Sequence, residues 1–495
     1  MAWLVCQCTV QHTDRHQQRS QQWSAVARLE SLNLPAAGTV DRLNGGASLF
    51  WKDMRQFLAF LEQKGDLVTI KKPVSTDFEV AAYIRKSSDV EGPCFVFDDI
   101  AGYPGWRVAG AMYAAPRRIL DGLSVSIEEA TRHYLKAIQN PMSWQVVETG
   151  ACKEIIVTGD DVSLSDVPIV RHSEKDGKYI TAGVQVARDP DTGVHGLGMH
   201  RMELFGERRL GLWAPGERRI GRARVKQEER GQRLEIAVVI GPDPCTTLAS
   251  CARVPHDQEK YEIASALLGE PLKLVRCETI DVLVPADAEC IIEGYIEPND
   301  RFSESPFGEF PGCYGGRMEV PVMTVTAITH RRDPIYQTVL TGFPVTEDHL
   351  LNWIPMNAVI YEDAKRISPG VIDVTVRGNY VYDTVIKMRK RHETEPWNVM
   401  SAVLAGNAQA KYCVVVDEDV NIYDDREVNW AVSTRVQPAT DVHIFPVMVG
   451  APLDPSAPLI RQTSKMGMDA TKPLSADPLR YEKVLVPGAD EVTWE

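Results

Sequence analysis

The stretch KLVRCETIDVLVPADAECIIEGYIEP (273–298) decides the reading of the fold. Its apolar runs are short and rich in Val, Ile and Leu, and Asp281, Pro285, Asp287 and Gly294 punctuate them. β-Branched residues favour extended backbone, while Pro and Gly disfavour helix. Working outward, the same texture recurs upstream in EIIVTG (154–159), YITAGVQVARD (179–189), GLGMHRMELFG (196–206), RLGLWAPG (209–216) and EIAVVIG (235–241). Downstream it recurs in PVMTVTAITHR (321–331). Short strands at this spacing predict a β-barrel or sandwich over residues 156–330 rather than βαβ units. One helix, near Gln258 to Leu268, interrupts it.

Both flanks read as α/β. Asp53 can cap a helix whose Phe57, Leu58, Phe60 and Leu61 follow helical spacing; Gly65 ends it, and LVTI (67–70) is a strand. A helix over about 77–87, a strand in CFVFDDI (94–100) and a helix from Pro116 complete an N-terminal α/β domain, 53–155. Beyond the β-rich region, helical patterns are expected at 348–366, 380–391 and 398–406. The strand YCVVVDEDV (412–420), then WAVSTR (430–435) and the strand HIFPVMVG (443–450) follow, giving a C-terminal α/β domain, 331–475. Residues 476–495 read as an arm used in assembly, and the Gln-, His- and Arg-rich residues 1–52 as a poorly ordered extension. A chain of 495 residues is too long for one core, so an α/β multidomain protein is expected.

The net charge of −14 argues against nucleic acid or an anionic membrane as partner. An anionic substrate therefore needs a local positive pocket. No stretch approaches the ~18 apolar residues of a membrane helix, and the opening MAWLVCQCTV has no basic flank, so a cytoplasmic location without signal peptide is expected. The ten cysteines are scattered and read as reduced thiols.

Three segments carry chemistry. In SESPFGEFPGCYGG (303–316), Glu304 and Glu309 bracket Ser-Pro-Phe-Gly, and Pro306 and Gly308 favour a turn. Two glutamates on one tight loop can converge, and like charges held close raise one pKa into the range of a proton donor. Taken alone, the segment equally fits an exposed structural loop. In HGLGMHRMELFG (195–206), Gly196 and Gly198 permit close approach of a ligand, and Arg201 stands among Met199, Met202 and Leu204. Such an Arg needs an anionic partner, either structural or a substrate carboxylate. GERRIGRARVK (216–226) is basic, which also describes a solvated charged face.

Six ordered stretches together resemble the UbiD-type, prenylated-FMN-dependent decarboxylases over residues 53–475. They are GLGMHRMEL (196–204), IGPDPCTTLASC (240–251), LVRCETIDVLVPADAECIIEGYI (274–296), SPFGEFPGCYG (305–315), VVVDEDVNIYDDREVNWAVSTR (414–435) and SKMGMDATK (464–472). The resemblance implies a central split β-barrel that holds the flavin, and a C-terminal domain used in a homodimer or hexamer. It implies reversible, non-oxidative decarboxylation of an aromatic, heteroaromatic or α,β-unsaturated acid. The cofactor comes from a flavin prenyltransferase and carries the difficult chemistry. The family's Glu-Arg-Glu trio falls on Glu304, Arg201 and Glu309, with Glu309 as proton donor and acceptor. Cofactor contacts are expected from Gly196, Met199, His200, Arg201, Trp213, Ala214, Arg218, Arg219, Lys260 and Lys465. Phe307 and Phe310 would line the place of the departing carboxylate.

The sequence departs from the family at the divalent-metal ligands. The Asn, His and Glu that usually hold Mn²⁺ against the flavin phosphate fall on Gly196, Arg219 and Lys260. A dication with one glutamate gives a net charge of about +1, whereas Arg and Lys give about +2. Two side-chain cations can hold the phosphate directly, so Mn²⁺ is expected to be absent, with K⁺ on backbone carbonyls still open. His195, Glu259 and Glu262 lie close enough in sequence to supply part of a shifted site. Two other functions fit parts of this pattern: a non-catalytic flavin-binding paralogue, and a decarboxylase of a coenzyme A thioester such as phthaloyl-CoA.

Overall fold

The computed structural model describes residues 51–377, 383–459, 461–488 and 492. The expected extension, except Trp51 and Lys52, lies outside the described residues, as do Cys6 and Cys8. From residue 51 the order matches the local signals. Asp53 accepts a hydrogen bond from Gln56 N and starts the helix Met54–Gln63, which buries Met54, Phe57, Leu58 and Leu61. Gly65, at φ +75°, turns the chain into the strand Leu67–Ile70. That strand pairs in parallel with Cys94–Phe97, which pairs with Arg107–Gly110. Three helices, Glu79–Val90, Pro116–Leu123 and Ile127–Gln139, accompany this small sheet. Its fourth strand, Ile335–Gln337, arrives only after the chain has completed the β-rich region.

The stretch 273–298 divides between two sheets. Lys273–Arg276 and Leu283–Pro285 pair with each other and with Gln145–Val146 in a separate three-stranded sheet. Cys290–Ser303 belongs instead to a nine-stranded sheet in which every pairing is antiparallel. Its order is Lys178–Ile180, Met202–Gly206, Arg209–Leu212, Glu319–His330, Cys290–Ser303, Leu234–Ile240, Val184–Arg188 and His195–Met199. Ile155–Thr158 joins Glu319–His330 as a branch.

That order dictates curvature. The run GLGMHRMELFG supplies the second and the eighth strand of the path, and only His200 and Arg201 connect them. Six strand spacings in a flat sheet span ~29 Å. Three Cα steps reach at most ~11 Å. The sheet must therefore curl until its ends approach, giving a half-barrel with Arg201 at the seam. Alternate residues of Leu234–Ile240 and Cys290–Ser303 fill the two faces, and both faces are covered near the barrel's middle.

The C-terminal sheet has the order Val371–Arg377, Asp383–Met388, Tyr412–Asp417, Gln462–Ala470 and Val442–Val449. Its three central strands are parallel and both outer pairings antiparallel. The helices Glu347–Ile367, Glu395–Gly406 and Asp425–Arg435 pack with it. One expectation fails here. Residues 383–388 of the helix expected over 380–391 form a strand, buried between two neighbours, so the apolar run DTVIKM satisfies strand pairing rather than a helical stripe. The basic segment GERRIGRARVK starts a helix, Arg219–Glu229, whose Ile220, Gly221 and Ala223 are buried, so it is not simply a solvated face. WAVSTR lies in the helix that Asp424 caps. The arm after residue 475 contains one short 3₁₀ turn, Pro478–Tyr481. All eight described cysteines are free thiols, and Cys313 is exposed. No described helix is long and apolar enough to cross a membrane.

Candidate active site

Arg201 leaves the barrel seam because the backbone is pinned beside it. Gln185, fully buried on the adjacent strand, accepts from His200 N (2.7 Å) and donates to His200 O (2.9 Å). Its side-chain amide thus replaces the strand partners that His200 lacks. Trp213 N donates to Arg201 O (3.2 Å) on the other side. The guanidinium then lies between two rings, 4.6 Å from the Trp213 centroid and 5.0 Å from that of Phe307.

The loop 303–316 brings both glutamates to this cation. Arg201 Nε donates to Glu304 Oε2 (3.2 Å) and Nη2 to Glu304 Oε1 (2.5 Å), a bidentate pair. Nη1 donates to Glu309 Oε1 (2.7 Å). The three side chains are nearly excluded from solvent, at 7%, 0% and 5% exposure for Arg201, Glu304 and Glu309. Two carboxylates and one guanidinium leave a deficit of one charge in a buried volume, which favours holding a proton. Burial raises Glu304 although Arg201 opposes it. Burial pushes Glu309 up to about 7, with Asp348 and Glu304 adding to the shift and Arg201 opposing it. Glu309 makes one bond to Arg201 where Glu304 makes two, so Glu309 is the better proton carrier. Burial pulls the Arg201 pKa down, but Glu309 and Glu304 more than offset it, and the guanidinium stays charged.

The loop is braced from several sides. Phe307 is buried and packs on Tyr179, with centroids 4.7 Å apart. His349 Nε2 meets Phe310 O (2.7 Å), joining the loop to the first turn of Glu347–Ile367. Gly315 sits where a Cβ would come within 2.8 Å of Glu309 Oε1, so a side chain there would collide with the proton carrier. Asp348, on the same first turn as His349, has its pKa pushed up to about 6 by burial.

A second charged region lies beyond His200. Lys260 is 5% exposed, and its ammonium donates to Leu197 O (3.0 Å) and Ser250 O (2.6 Å). Burial, with Arg219, Arg218 and Arg253 adding to it, lowers its pKa to about 7. Burial, with Arg218, lowers Arg253 to about 10, and burial lowers Arg218 as well. Burial, with Arg218, Lys260 and Arg201, depresses His200 to about 3, so its ring is neutral. Among the described residues, no carboxylate forms an ion pair with Arg218, Arg253 or Lys260. Cations crowded together without an anion fit a phosphate group.

The geometry assigns the expected contacts unequally. Arg219 packs against Gly196, where a Cβ would lie 3.4 Å from Arg219 Cβ. Its fork donates to the carbonyls of Val254 (3.2 Å), His256 (3.2 Å) and Gln258 (2.9 Å), and to that of Pro255. Arg219 therefore holds the 254–258 loop while its charge still acts on Lys260, and Arg253, missed in the sequence, joins the cation cluster. Lys465 donates to Leu404 O and Asn407 O (both 2.7 Å) in the C-terminal domain, closing the end of the helix Glu395–Gly406. Met199 and Trp213 are half-buried beside Arg201, and Ala214 is buried in the segment leading to Arg218. Gly198 leaves room for the His200 ring, since a Cβ would come within 2.7 Å of Nε2. His195 Nδ1 and Glu259 Oε1 approach to 3.4 Å, but among the described residues no group of three His, Cys, Asp or Glu side chains is arranged to hold a metal ion. Gln185, Arg253 and Asp348 carried no local signal beyond a polar residue within an apolar or turn-rich run.

Comparison with known proteins covers nearly all of the described chain. The N-terminal, Rift-related and C-terminal domain models of 3-octaprenyl-4-hydroxybenzoate carboxy-lyase (UbiD) match residues 58–138, 145–344 and 349–470. Anhydromevalonate phosphate decarboxylase of Methanothermobacter thermautotrophicus is 34% identical over 439 residues, covering 86% of this chain and 97% of that protein. Phenolic acid decarboxylase of Bacillus subtilis is 31% identical over 445 residues, covering 86% and 94%. The UbiD-class enzyme HmfF from Pelotomaculum thermopropionicum, solved in complex with FMN, superposes with a TM-score of 0.85 at 38% identity, covering 89% of this chain and 99% of that one. An evolved dimeric form of HmfF in complex with prFMN superposes at 0.82 and 37% identity, covering 90% and 99%.

Proposed function

The chain belongs to the UbiD family, and from that membership we propose that it is a carboxy-lyase removing carbon dioxide from an aromatic, heteroaromatic or α,β-unsaturated acid with prenylated FMN. The observation that carries this reading is the Glu304–Arg201–Glu309 cluster, with a proton-bearing carboxyl held beside a buried cation. The half-barrel is the flavin-binding element, a split barrel whose seam presents Arg201. Prenylated FMN, when bound, supplies the electron sink that decarboxylation of an unsaturated acid requires. Arg218, Arg253 and Lys260 would hold its phosphate, with Arg219 fixing the loop from which Arg253 and Lys260 extend. The cations take the role of a divalent ion, and no Mn²⁺ is required there.

The residues of the chain divide the remaining work. Arg201 orients Glu304 through its bidentate grip and opposes the upward push of burial on that carboxyl, and the Trp213 and Phe307 rings keep water from the faces of the guanidinium. Glu309 gives its proton to the carbon from which carbon dioxide departs, and regains one before the next turnover. Phe307 supplies an apolar wall for the neutral gas. In the reverse direction Glu309, as carboxylate, accepts the proton. The relatives act on phenolic and phosphorylated acids, as their names state, and their HmfF counterpart is bound to FMN or prFMN. Exposed Ile444, Val447 and Val449 on the edge strand Val442–Val449, with exposed Val484, Leu485 and Val486, offer an apolar surface that a second copy would cover.

The test is co-expression with a flavin prenyltransferase, followed by carbon dioxide release from a panel of phenolic, furan-type and cinnamic acids and aryl-CoA carboxylates. Wild type should turn over at least one member, and Glu309→Gln should lose ~10²- to 10⁴-fold in rate with its flavin retained. Equal rates in wild type and variant would refute the assignment.

A further inference from the structure

We infer that Asp176 and Glu203 are positioning residues for proton transfer, each holding one backbone amide of the loop that carries Glu304 and Glu309. The inference rests on the assignment of that trio given above.

Both carboxyl groups are almost wholly buried, at 3% and 4% exposure, and neither forms an ion pair with Lys or Arg among the described residues. An unpaired buried carboxylate is unfavourable unless hydrogen bonds satisfy it. Here the satisfying donors include loop amides, beside Ser173 at Asp176 and Tyr179 OH at Glu203. Glu203 Oε2 accepts from Ser305 N (2.7 Å), and Asp176 Oδ1 accepts from Gly308 N (3.0 Å). Ser305 directly follows Glu304, and Gly308 directly precedes Glu309. Each clamp therefore acts one peptide away from a carboxyl of the trio, and neither touches Arg201.

The two clamps share one template. Tyr179 OH donates to Ser305 O (2.9 Å) and lies 3.3 Å from Glu203 Oε2, so both polar groups of Ser305 are held. Glu203 fits only because residue 177 is Gly: a Cβ there would stand 2.1 Å from Glu203 Oε1. Asp176, Gly177 and Tyr179 thus come from one short segment that braces both ends of SPFG. Arg201 directly precedes the strand Met202–Gly206 and Glu203 is its second residue, so the cation and the group that holds the loop beside it lie only two residues apart. Catalytic geometry is sensitive at this scale, since a displacement of ~1 Å can lower rate ~10²-fold. The negative charge of Glu203 also favours a proton on Glu304, its partner in the trio.

The test uses FMN-loaded full-length protein and does not depend on turnover. The carboxyl band in the infrared spectrum that disappears in Glu309→Gln is titrated in wild type, Asp176→Ala, Glu203→Ala, Asp176→Asn and Glu203→Gln. The wild-type midpoint should lie near 7. In both Ala variants it should fall by at least one unit as the loop loosens and water reaches Glu309, a tenfold change in proton affinity. Asn at 176 keeps an acceptor for its amide and should restore the midpoint. Gln at 203 keeps the acceptor but loses the charge, and should lower the midpoint by less than Ala does. With a turned-over acid, kcat should fall about 100-fold in the Ala variants at unchanged KM and flavin content. Unmoved midpoints in the Ala variants, with only a lower Tm, would overturn the inference. If either Ala variant fails to fold, Asp176→Leu or Glu203→Met, which fill the volume without an acceptor, replaces it, and an unmoved midpoint there overturns the inference equally. A shifted midpoint in a protein that decarboxylates no acid would leave the clamps standing and remove the proposed reaction.

Discussion

Arg201 is buried between two carboxylates, whereas Arg218, Arg253 and Lys260 crowd one another with none among the described residues. The first region is compensated within the chain. Its geometry can form in the folded protein alone, and burial, with Asp348 and Glu304 adding to it, lifts the Glu309 pKa to about 7 against the pull of Arg201. The second region is uncompensated. Arg218 is exposed and Arg253 half-buried, so water screens the cluster in part, and an anion from outside would complete its compensation. An internally paired cluster is compatible with a structural role and needs the chemistry of its members to identify it. An unpaired cluster points to a ligand by its imbalance alone.

The contrast gives opposite expectations for removing a cation. In apo protein at pH 8, Arg201→Met should be destabilising by ~3–5 kcal/mol, because it leaves two buried carboxyls without a partner. The loss should shrink toward pH 5, because Glu309, with a pKa of about 7, takes up its proton on the way; denaturant unfolding at the two pH values measures this. An equal loss at both would mean that the pair is not what stabilises the seam. A second expectation concerns rate. A step that needs protonated Glu309 is fully supported below its pKa of about 7 and should fall up to tenfold per unit above it. In Arg201→Lys the fall should come at higher pH, because the point charge loses the bidentate grip on Glu304 and one carboxyl is less well compensated.

Arg218→Met removes a cation with no protein partner, so apo stability should stay level or rise. FMN binding should weaken by about tenfold, the loss of one charge-assisted hydrogen bond. Fluorescence titration with FMN and with riboflavin separates the phosphate contribution, and a loss seen equally with riboflavin would disprove the phosphate contact. The smallest expected effect is of chelation. EDTA should leave FMN affinity within about twofold, since side chains supply the positive charge. A drop of tenfold or more, restored by Mn²⁺, would show that the cluster does not replace a divalent ion.

Much of the fold was legible because its signals are local. The cap at Asp53, the turn at Gly65 and the β-branched runs of the barrel each depend on residues close in sequence. The strand Asp383–Met388 was misread because it is covered on both faces, so its pattern loses the alternation that marks a half-exposed strand. The stretch 273–298 reads as one β-rich run, yet its halves join different sheets, since no local signal specifies a strand's partner. At the site, residue types and a six-part resemblance marked Arg201, Glu304 and Glu309. Gln185, Asp176, Glu203 and Arg253 were not marked, because an amide or carboxylate becomes informative only when its partner is known.

The sequence by itself determined the element types over most of the chain, marked Arg201, Glu304 and Glu309 as the trio proposed to react, and put Gly196, Arg219 and Lys260 where the resemblance would place metal ligands. Tertiary structure alone decided how those residues are used. It placed Arg201 at the seam, because two strands separated by two residues had to meet from opposite ends of one sheet. It directed Arg219 to the carbonyls of a loop and left Arg218 and Arg253 without a carboxylate partner among the described residues. Charge and shape belong to a residue, but whether a charge is compensated depends on what folding brings within a few ångströms of it.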